Sequence, residues 1–269
     1  MIYYFTATGN DQHVAERIAE ATGDRLASIT ECLWNGTCSC VLEDGEGLGF
    51  VVPTYFGGLP SVVVEFLERL SVEGASPYVF LVGTFGTGCG GMSSFASSLL
   101  EPKGLSFDAT FGVKMPDTWT PVFDLSSAEE VAAMNAKADG QIGEIAEAVA
   151  GRVRGHRLKS MVPWKLAKGM YEKYYKTASD TARFSVGDAC TSCGLCERQC
   201  PTRAIELQGG RPAWVRDRCA VCLGCLHRCP AFAIQYNGQT QDHGQYVHPG
   251  VRLPGEEPQR SAAAPLRLL

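Results

Sequence analysis

Eight of the twelve cysteines in this chain fall in two copies of one short pattern. Cys190-x2-Cys193-x2-Cys196-x3-Cys200-Pro201 recurs as Cys219-x2-Cys222-x2-Cys225-x3-Cys229-Pro230, every matching position 29 residues further on. The match outlasts the cysteines, since Ala204 maps onto Ala233 and Ile205 onto Ile234. The segment is therefore an internal duplication. It constrains the fold more than any other stretch, because each copy must deliver thiolates to a fixed geometry.

A tight turn with two residues between cysteines can set three thiolates around one cubic 4Fe–4S cluster. The fourth cysteine, followed by Pro, points away and ligates the other cluster. The spacing thus assigns Cys190, Cys193, Cys196 and Cys229 to one cluster, and Cys219, Cys222, Cys225 and Cys200 to the second. Two structural zinc sites or a disulfide scaffold are the rival readings. Zinc favours pairs of Cys-x2-Cys, which leave a third evenly spaced cysteine and a Cys-Pro without a role. The segment resembles the bacterial two-cluster ferredoxins.

The chain has 269 residues, enough for two domains, and a hydrophobic fraction of 45% supports a real core. Its net charge of −5 is uneven: −14 over residues 1–150, +6 over 151–189 and +3 over 190–269. No charged segment precedes the apolar run at residue 2, so no secretory signal is expected. No apolar run approaches the ~18 residues of a membrane span. Reduced thiols and oxygen-sensitive clusters favour a cytoplasmic, anaerobic setting.

Met1–Phe5 is a short apolar β run, followed by Thr6-Ala7-Thr8-Gly9-Asn10-Asp11. Val14, Ala15, Ile18 and Ala19 then recur at helical spacing. A strand, a hydroxyl-rich loop and a helix start present backbone N–H groups and a favourable dipole to an anion. Thr6, Thr8 and Asn10 add side-chain donors. This loop carries neither a dinucleotide-binding Gly-x-Gly-x-x-Gly nor the Gly-Lys-Ser/Thr of triphosphate loops.

Two more buried strands end in similar loops. Leu48–Val52 leads into Pro53-Thr54-Tyr55-Phe56-Gly57-Gly58-Leu59-Pro60 and a helix from about Ser61 to Leu70. Tyr78–Val82 leads into Gly83-Thr84-Phe85-Gly86-Thr87-Gly88-Cys89-Gly90-Gly91. In an open parallel sheet, ligands bind outside the carboxyl ends of the strands, near the switch in strand order. Aromatic side chains there can stack on a flat ring, and glycines let backbone N–H groups approach its edge. One of Tyr55 and Phe56 reads instead as a core aromatic.

The first loop resembles the FMN-phosphate loop of flavodoxins at Thr6, Thr8, Gly9 and Asn10. It departs at Asp11, where that family has a hydroxyl residue. Asp11 is expected to cap the helix and offer only its backbone N–H. The two later runs look like the second and third flavin loops. The resemblance implies FMN held by Thr6, Ala7, Thr8, Gly9, Asn10 and Asp11, then by Pro53, Thr54, Tyr55, Phe56, Gly57 and Gly58. Thr84, Phe85, Gly86, Gly88, Cys89 and Gly90 complete the set. Thr87 stands where some flavodoxins place a Trp, so stacking falls to Tyr55 or Phe56.

Arg25–Thr30 is expected as a second strand and Leu105–Val113 as a fifth. Helices are expected over Met92–Leu100 and Ala128–Ala150, the latter with Val131, Met134, Ile142, Ile145 and Val149 as its apolar positions. Five strands alternating with helices in about 150 residues suit an α/β doubly wound parallel sheet of order 2-1-3-4-5. Met115–Pro121 either covers the flavin edge or forms a surface turn. Cys32, Cys38 and Cys40 fall in a Gly-bearing irregular loop, and with Cys89 leave room for a third metal site. Cys89 either tunes the flavin or is a small residue in a tight loop.

Residues 151–183 read as a basic helical linker that bridges two acidic bodies or holds an acidic partner; nucleic acid is not expected, as no fold motif supports it. Residues 184–238 form a small α+β ferredoxin-type domain, with a hairpin at Gln208-Gly209-Gly210-Arg211. His227 is expected at the surface or beside the ligands. Residues 239–269 read as a largely irregular tail, its last twenty residues poorly ordered, with Gln245–Pro249 packing somewhere.

Over residues 1–238 the chain resembles the flavodoxin–ferredoxin fusion proteins of anaerobic bacteria and archaea. That resemblance implies electron transfer between FMN and two 4Fe–4S clusters, in a carrier serving ferredoxin-, flavodoxin- or reductase-type partners. An FMN-dependent reductase of a small molecule stays open, as does a ferredoxin module whose first domain lacks flavin. No catalytic constellation of acid–base residues is read from the sequence.

Overall fold

The computed structural model describes residues 1–74, 77–158, 162–238 and 240–253. The chain opens with β1 (Ile2–Tyr4), α1 (Asn10–Thr22), β2 (Leu26–Ser28), α2 (Ile29–Asn35) and β3 (Ser39–Val41). It continues through β4 (Leu48–Pro53), α3 (Ser61–Arg69), β5 (Ser71–Glu73), β6 (Val79–Phe85), α4 (Met92–Leu100) and β7 (Ala109–Lys114). The long α5 (Ala128–Ala150), β8 (Gly155–His156) and α6 (Trp164–Ala178) follow. The last part holds β9 (Phe184–Val186), α7 (Leu195–Arg198), β10 (Ile205–Gln208), β11 (Arg211–Trp214), α8 (Gly224–His227) and β12 (Ile234–Tyr236).

The main sheet runs β2-β1-β4-β6-β7-β8, with every neighbouring pair parallel. Its first five strands have the doubly wound 2-1-3-4-5 order, and the order switches between β1 and β4. Helices cover both faces, so the central strands are apolar on both sides. On one face Tyr3, Phe50 and Leu81 pack against Phe66 of α3 and Met92 of α4. On the other, Ile2, Val51, Phe80 and Phe111 pack against Ile18 of α1 and Ile142 of α5. The α5 seam passes through Asn135 and Ala138, while Val131 and Met134 are only half-buried. Its apolar face is thus shifted from the expected positions in the first half of the helix.

Three features depart from the sequence reading. The second strand stops at Ser28, because the Ser28 hydroxyl accepts from the Glu31 N–H at 3.4 Å and starts α2. Second, β3 and β5 pair in parallel as a separate two-stranded sheet. Third, Cys32 lies in α2, Cys40 lies in β3, and both are buried with Cys38 in the apolar core. The expected irregular loop is therefore structured, and its thiols fill core space.

The duplicated segment folds with its repeat visible. The α7 and α8 helices are offset by the same 29 positions as the cysteines. So are the left-handed backbone positions, Ser192 with Val221 and Arg203 with Phe232. Such conformations are uncommon outside glycine, and their pairwise recurrence marks a turn that each copy needs. β10–β11 form the hairpin, and β9 pairs antiparallel with β12. The whole is an α/β doubly wound domain followed by a small ferredoxin-like α+β domain.

The two parts are joined closely. Tyr175 Oη accepts from the Ser61 N–H at 2.9 Å and donates to the Ala220 carbonyl at 3.0 Å. Residues 240–253 have no regular secondary structure, yet Tyr246, His248 and Leu253 are buried. The His248 N–H donates to the Thr8 carbonyl at 2.7 Å, and Gln12 Nε2 donates to the Arg252 carbonyl at 3.3 Å. Poor order was expected from residue 250 onward. Gly250–Leu253 instead pack on the start of α1, and residues 254–269 lie outside the described residues. No helix among the described residues is long and apolar enough to cross a membrane.

Candidate cofactor sites

The loops after β1, β4, β6 and β7 enclose a cavity of about 250 Å³. That is close to the lower end of small-molecule sites, ~300–1,000 Å³. Ala7, Thr8, Asn10 and Asp11 line it from the first loop, and Pro53 to Gly57 from the second. Thr84, Phe85, Gly86, Thr87 and Gly88 line it from the third. Thr6, Gly9, Gly58, Cys89 and Gly90 stand outside it. Met115–Trp119 form a further wall, which settles that segment as part of the cavity and not a surface turn. Phe56 is held against Trp119, with ring centroids 5.1 Å apart at 79°.

Several glycines expected to admit a ligand admit the chain's own residues. A Cβ on Gly58 would lie 2.6 Å from the Tyr171 ring, and one on Gly90 would strike Gly57. One on Gly9, whose φ of 100° already favours glycine, would meet His248 and Val251. Gly86 leaves room for Asp117, whose Oδ1 accepts from the Trp119 N–H at 3.1 Å. Close approach is the shared requirement; in these places the partner is a loop.

At the start of α1, the N–H groups of Asn10, Asp11 and Gln12 have no acceptor within the helix. The capping position is Gly9, so Asp11 does not cap. Its carboxylate is buried instead, 3% exposed, and accepts from Thr84 Oγ1 at 2.8 Å. Burial pushes that carboxyl up to about 8, against the lowering effect of the Thr84 hydroxyl. At pH 7 Asp11 is therefore mostly neutral, and an anion beside it meets a proton donor. Burial also raises the Asp117 carboxyl.

The residues present fit FMN. Thr54 Oγ1 is buried in the cavity's loop wall without a hydrogen-bond partner, as expected where a ligand completes the bonding. Tyr55, Phe56 and Trp119 supply apolar walls, and the α1 start supplies donors for a phosphate. The neutral Asp11 removes the objection that a carboxylate would raise.

Cys190, Cys193, Cys196 and Cys229 line one enclosed cavity. Cys200, Cys219, Cys222 and Cys225 line another. Backbone N–H groups point at the sulfurs in matching fashion: Ala204 N to Cys200 Sγ at 3.2 Å, and Ala233 N to Cys229 Sγ at 3.3 Å. Val221 N adds a bond to Cys219 Sγ at 3.3 Å. Such bonds favour thiolate and set cluster potentials. Burial pushes the Cys219 and Cys222 thiols up to about 12 and Cys196 up to about 11. A bound metal must therefore displace their protons. Among the described residues, no three His, Cys, Asp or Glu side chains converge as one metal ion requires. The cysteines line two cavities, four to each.

His227 is buried, not at the surface. Its Nε2 lies 2.8 Å from the Thr118 carbonyl and its Nδ1 accepts from the Tyr246 N–H at 3.2 Å. It thus links the cluster domain, the fourth cavity wall and the C-terminal segment. Burial lowers the imidazole to about 4, so it is neutral and donates from Nε2. The two kinds of site touch each other. Cys222 and Ala7 stand in the walls of both the aromatic cavity and the second cysteine cavity.

Residues 189–234 match the family model of a 4Fe-4S dicluster domain. This cysteine-rich segment is thus similar to iron–sulfur domains. No curated protein matches the chain. Among solved structures it is similar to the rubredoxin oxygen:oxidoreductase of the anaerobe Desulfovibrio gigas, at 16% identity. That likeness covers 55% of this chain and 35% of the other, with a TM-score of 0.31.

Asp117 and Trp119 line the cavity from within Met115–Pro121, expected over the flavin edge or in a surface turn, and Phe123 just beyond it lines the cavity without having been expected there. Val221 and Cys222 belong to the same wall, and no sequence signal placed them there. The aromatic and Pro content of 115–123 was the available signal; nothing local marks Val221.

Proposed function

We propose that the chain carries electrons between FMN in the aromatic cavity and two 4Fe–4S clusters on the eight cysteines. The observation that carries this reading is the shared position of Cys222, in the wall of both the aromatic cavity and a cysteine cavity. Bound FMN would supply exchange between two-electron and one-electron partners. Thr8, Asn10 and the N–H groups at the start of α1 would hold the phosphate, with Asp11 protonated beside it. Tyr55, Phe56 and Trp119 would exclude water from the ring, and Thr54 Oγ1 would donate to it. Cys200, Cys219, Cys222 and Cys225 would hold a cluster beside this cavity. Cys190, Cys193, Cys196 and Cys229 would hold the other toward solvent, where Cys193 is exposed.

Anaerobic purification with iron, sulfide and flavin quantitation tests this. About eight irons and one FMN per chain are expected. Eight irons without flavin, after incubation with excess FMN, would leave only an iron–sulfur carrier.

A further inference from the structure

The α6 helix turns Tyr171 and Tyr175 toward the body of the protein. Lys165, Lys168 and Lys176, three and eight residues apart, share one exposed flank of it. Where this flank meets the segment Arg216–Cys219, it walls an open groove of about 590 Å³. Lys176, Arg216 and Arg218 line the groove, all exposed. The one carboxylate in the lining, Glu172, is paired with Lys168 at 3.7 Å. Arg218 is tied down, its Nη1 donating to the Lys176 carbonyl at the end of α6. Cys219, which lines the second cysteine cavity, also lines this groove.

A cluster ligand is thus reachable from solvent at a second place, remote in sequence from Cys193, and the approach is basic. Residues 1–150 carry −14, so the positive charge here is local and not a property of the whole chain. An open groove rimmed with cations selects an acidic surface and speeds its arrival.

We propose that this groove is the docking port for an acidic one-electron carrier protein, which exchanges electrons with the cluster ligated by Cys219. The inference rests on the clusters proposed above. Each encounter moves one electron: the carrier is oxidised by one, the cluster reduced by one, and no atom or proton is transferred. The cluster beside the aromatic cavity is then a branch point, served directly from the groove and through the outer cluster at Cys193.

The test uses anaerobic holoprotein and the double variant K176E/R216E, both residues outside the cofactor cavities. Iron and cluster absorbance are measured first. Absent clusters would sink the reading on which the port rests, and the port with it; wild-type iron content isolates the port. Stopped-flow reduction then compares two reductants, a pre-reduced small acidic two-cluster ferredoxin and photoreduced deazariboflavin, which is neutral. The wild-type rate with the acidic carrier should fall steeply from about 20 to about 300 mM salt. The double variant should react at least about 10-fold more slowly at low salt, with a flattened salt dependence and an unchanged rate with the neutral reductant. D188K, which alters a fully exposed charge beside Cys190, should keep the wild-type rate. A K176E/R216E protein with wild-type rates, or a D188K protein that reacts faster with the carrier, places entry at Cys193 and overturns the port.

Discussion

Replacing Asp11 with Asn removes a buried ionisable group from the start of α1 with almost no change in size. The carboxyl's folded-state value of about 8 lies far above its ordinary 3.8, because burial disfavours the charged form. The proton is therefore held below pH 8 and lost above it. In the same wall, Tyr55 is raised well above 10 by burial and stays neutral throughout, while Asp117, also raised by burial, is common to the wild type and D11N. If the phosphate of FMN binds only beside the protonated acid, the apparent Kd is flat near pH 7 and rises tenfold per unit above pH 8. Between pH 7 and pH 9 that amounts to about 10-fold, or about 1.4 kcal/mol. D11N has no such titration, so its Kd should be level over the same range and equal to or below the wild-type value at pH 9. The assay is quenching of FMN fluorescence on titration into the iron-loaded protein, with riboflavin as the phosphate-free control. Riboflavin should show little of the pH effect. A wild-type profile level to pH 9, or the same decline in D11N, would refute the reasoning.

Three further outcomes follow from the geometry. C222S should lower iron from about eight to about four per chain, and C193S should do the same while leaving the wall of the aromatic cavity intact; iron analysis of the two proteins decides this. Y246F should lower the apparent Tm by about 2–10 °C in anaerobic calorimetry, because the hydroxyl lies 2.7 and 3.0 Å from the buried side-chain oxygens of Asn10 and Asn135. G86A should weaken FMN binding at least about 10-fold, since a Cβ there collides with Asp117 and pushes the fourth wall off the cavity. An unchanged flavin titration for G86A would show that this wall does not contact the ligand.

Much of the fold could be read from the residues, for identifiable reasons. The strands β1, β4 and β6 are buried on both faces, so they stand out as apolar runs that end in Thr- and Gly-bearing loops. The cluster motif was legible because thiolate geometry imposes strict spacing. What stayed hidden depends on single long-range contacts. Residues 240–253 lack any hydrophobic period, yet Tyr246 and His248 fix them between α1 and α8. Ser28 ended a strand through one hydroxyl–amide bond. Glycines in the three loops were legible as close-approach positions, but not what approaches them: Tyr171 at Gly58, His248 and Val251 at Gly9, Asp117 at Gly86. Cys32, Cys38 and Cys40 looked like candidate ligands because sequence does not show that they are buried in the sheet's core.

The adjacency of the aromatic cavity and the Cys222 wall makes one kinetic claim that can be measured directly. Holoprotein loaded with iron and FMN is mixed anaerobically with a one-electron reductant, and cluster and flavin absorbance are followed together. Flavin bleaching should follow cluster reduction with a first-order rate that does not change when the protein is diluted tenfold. A rate that falls in proportion to protein concentration, or a flavin that stays oxidised while the clusters are reduced, would contradict transfer within one chain.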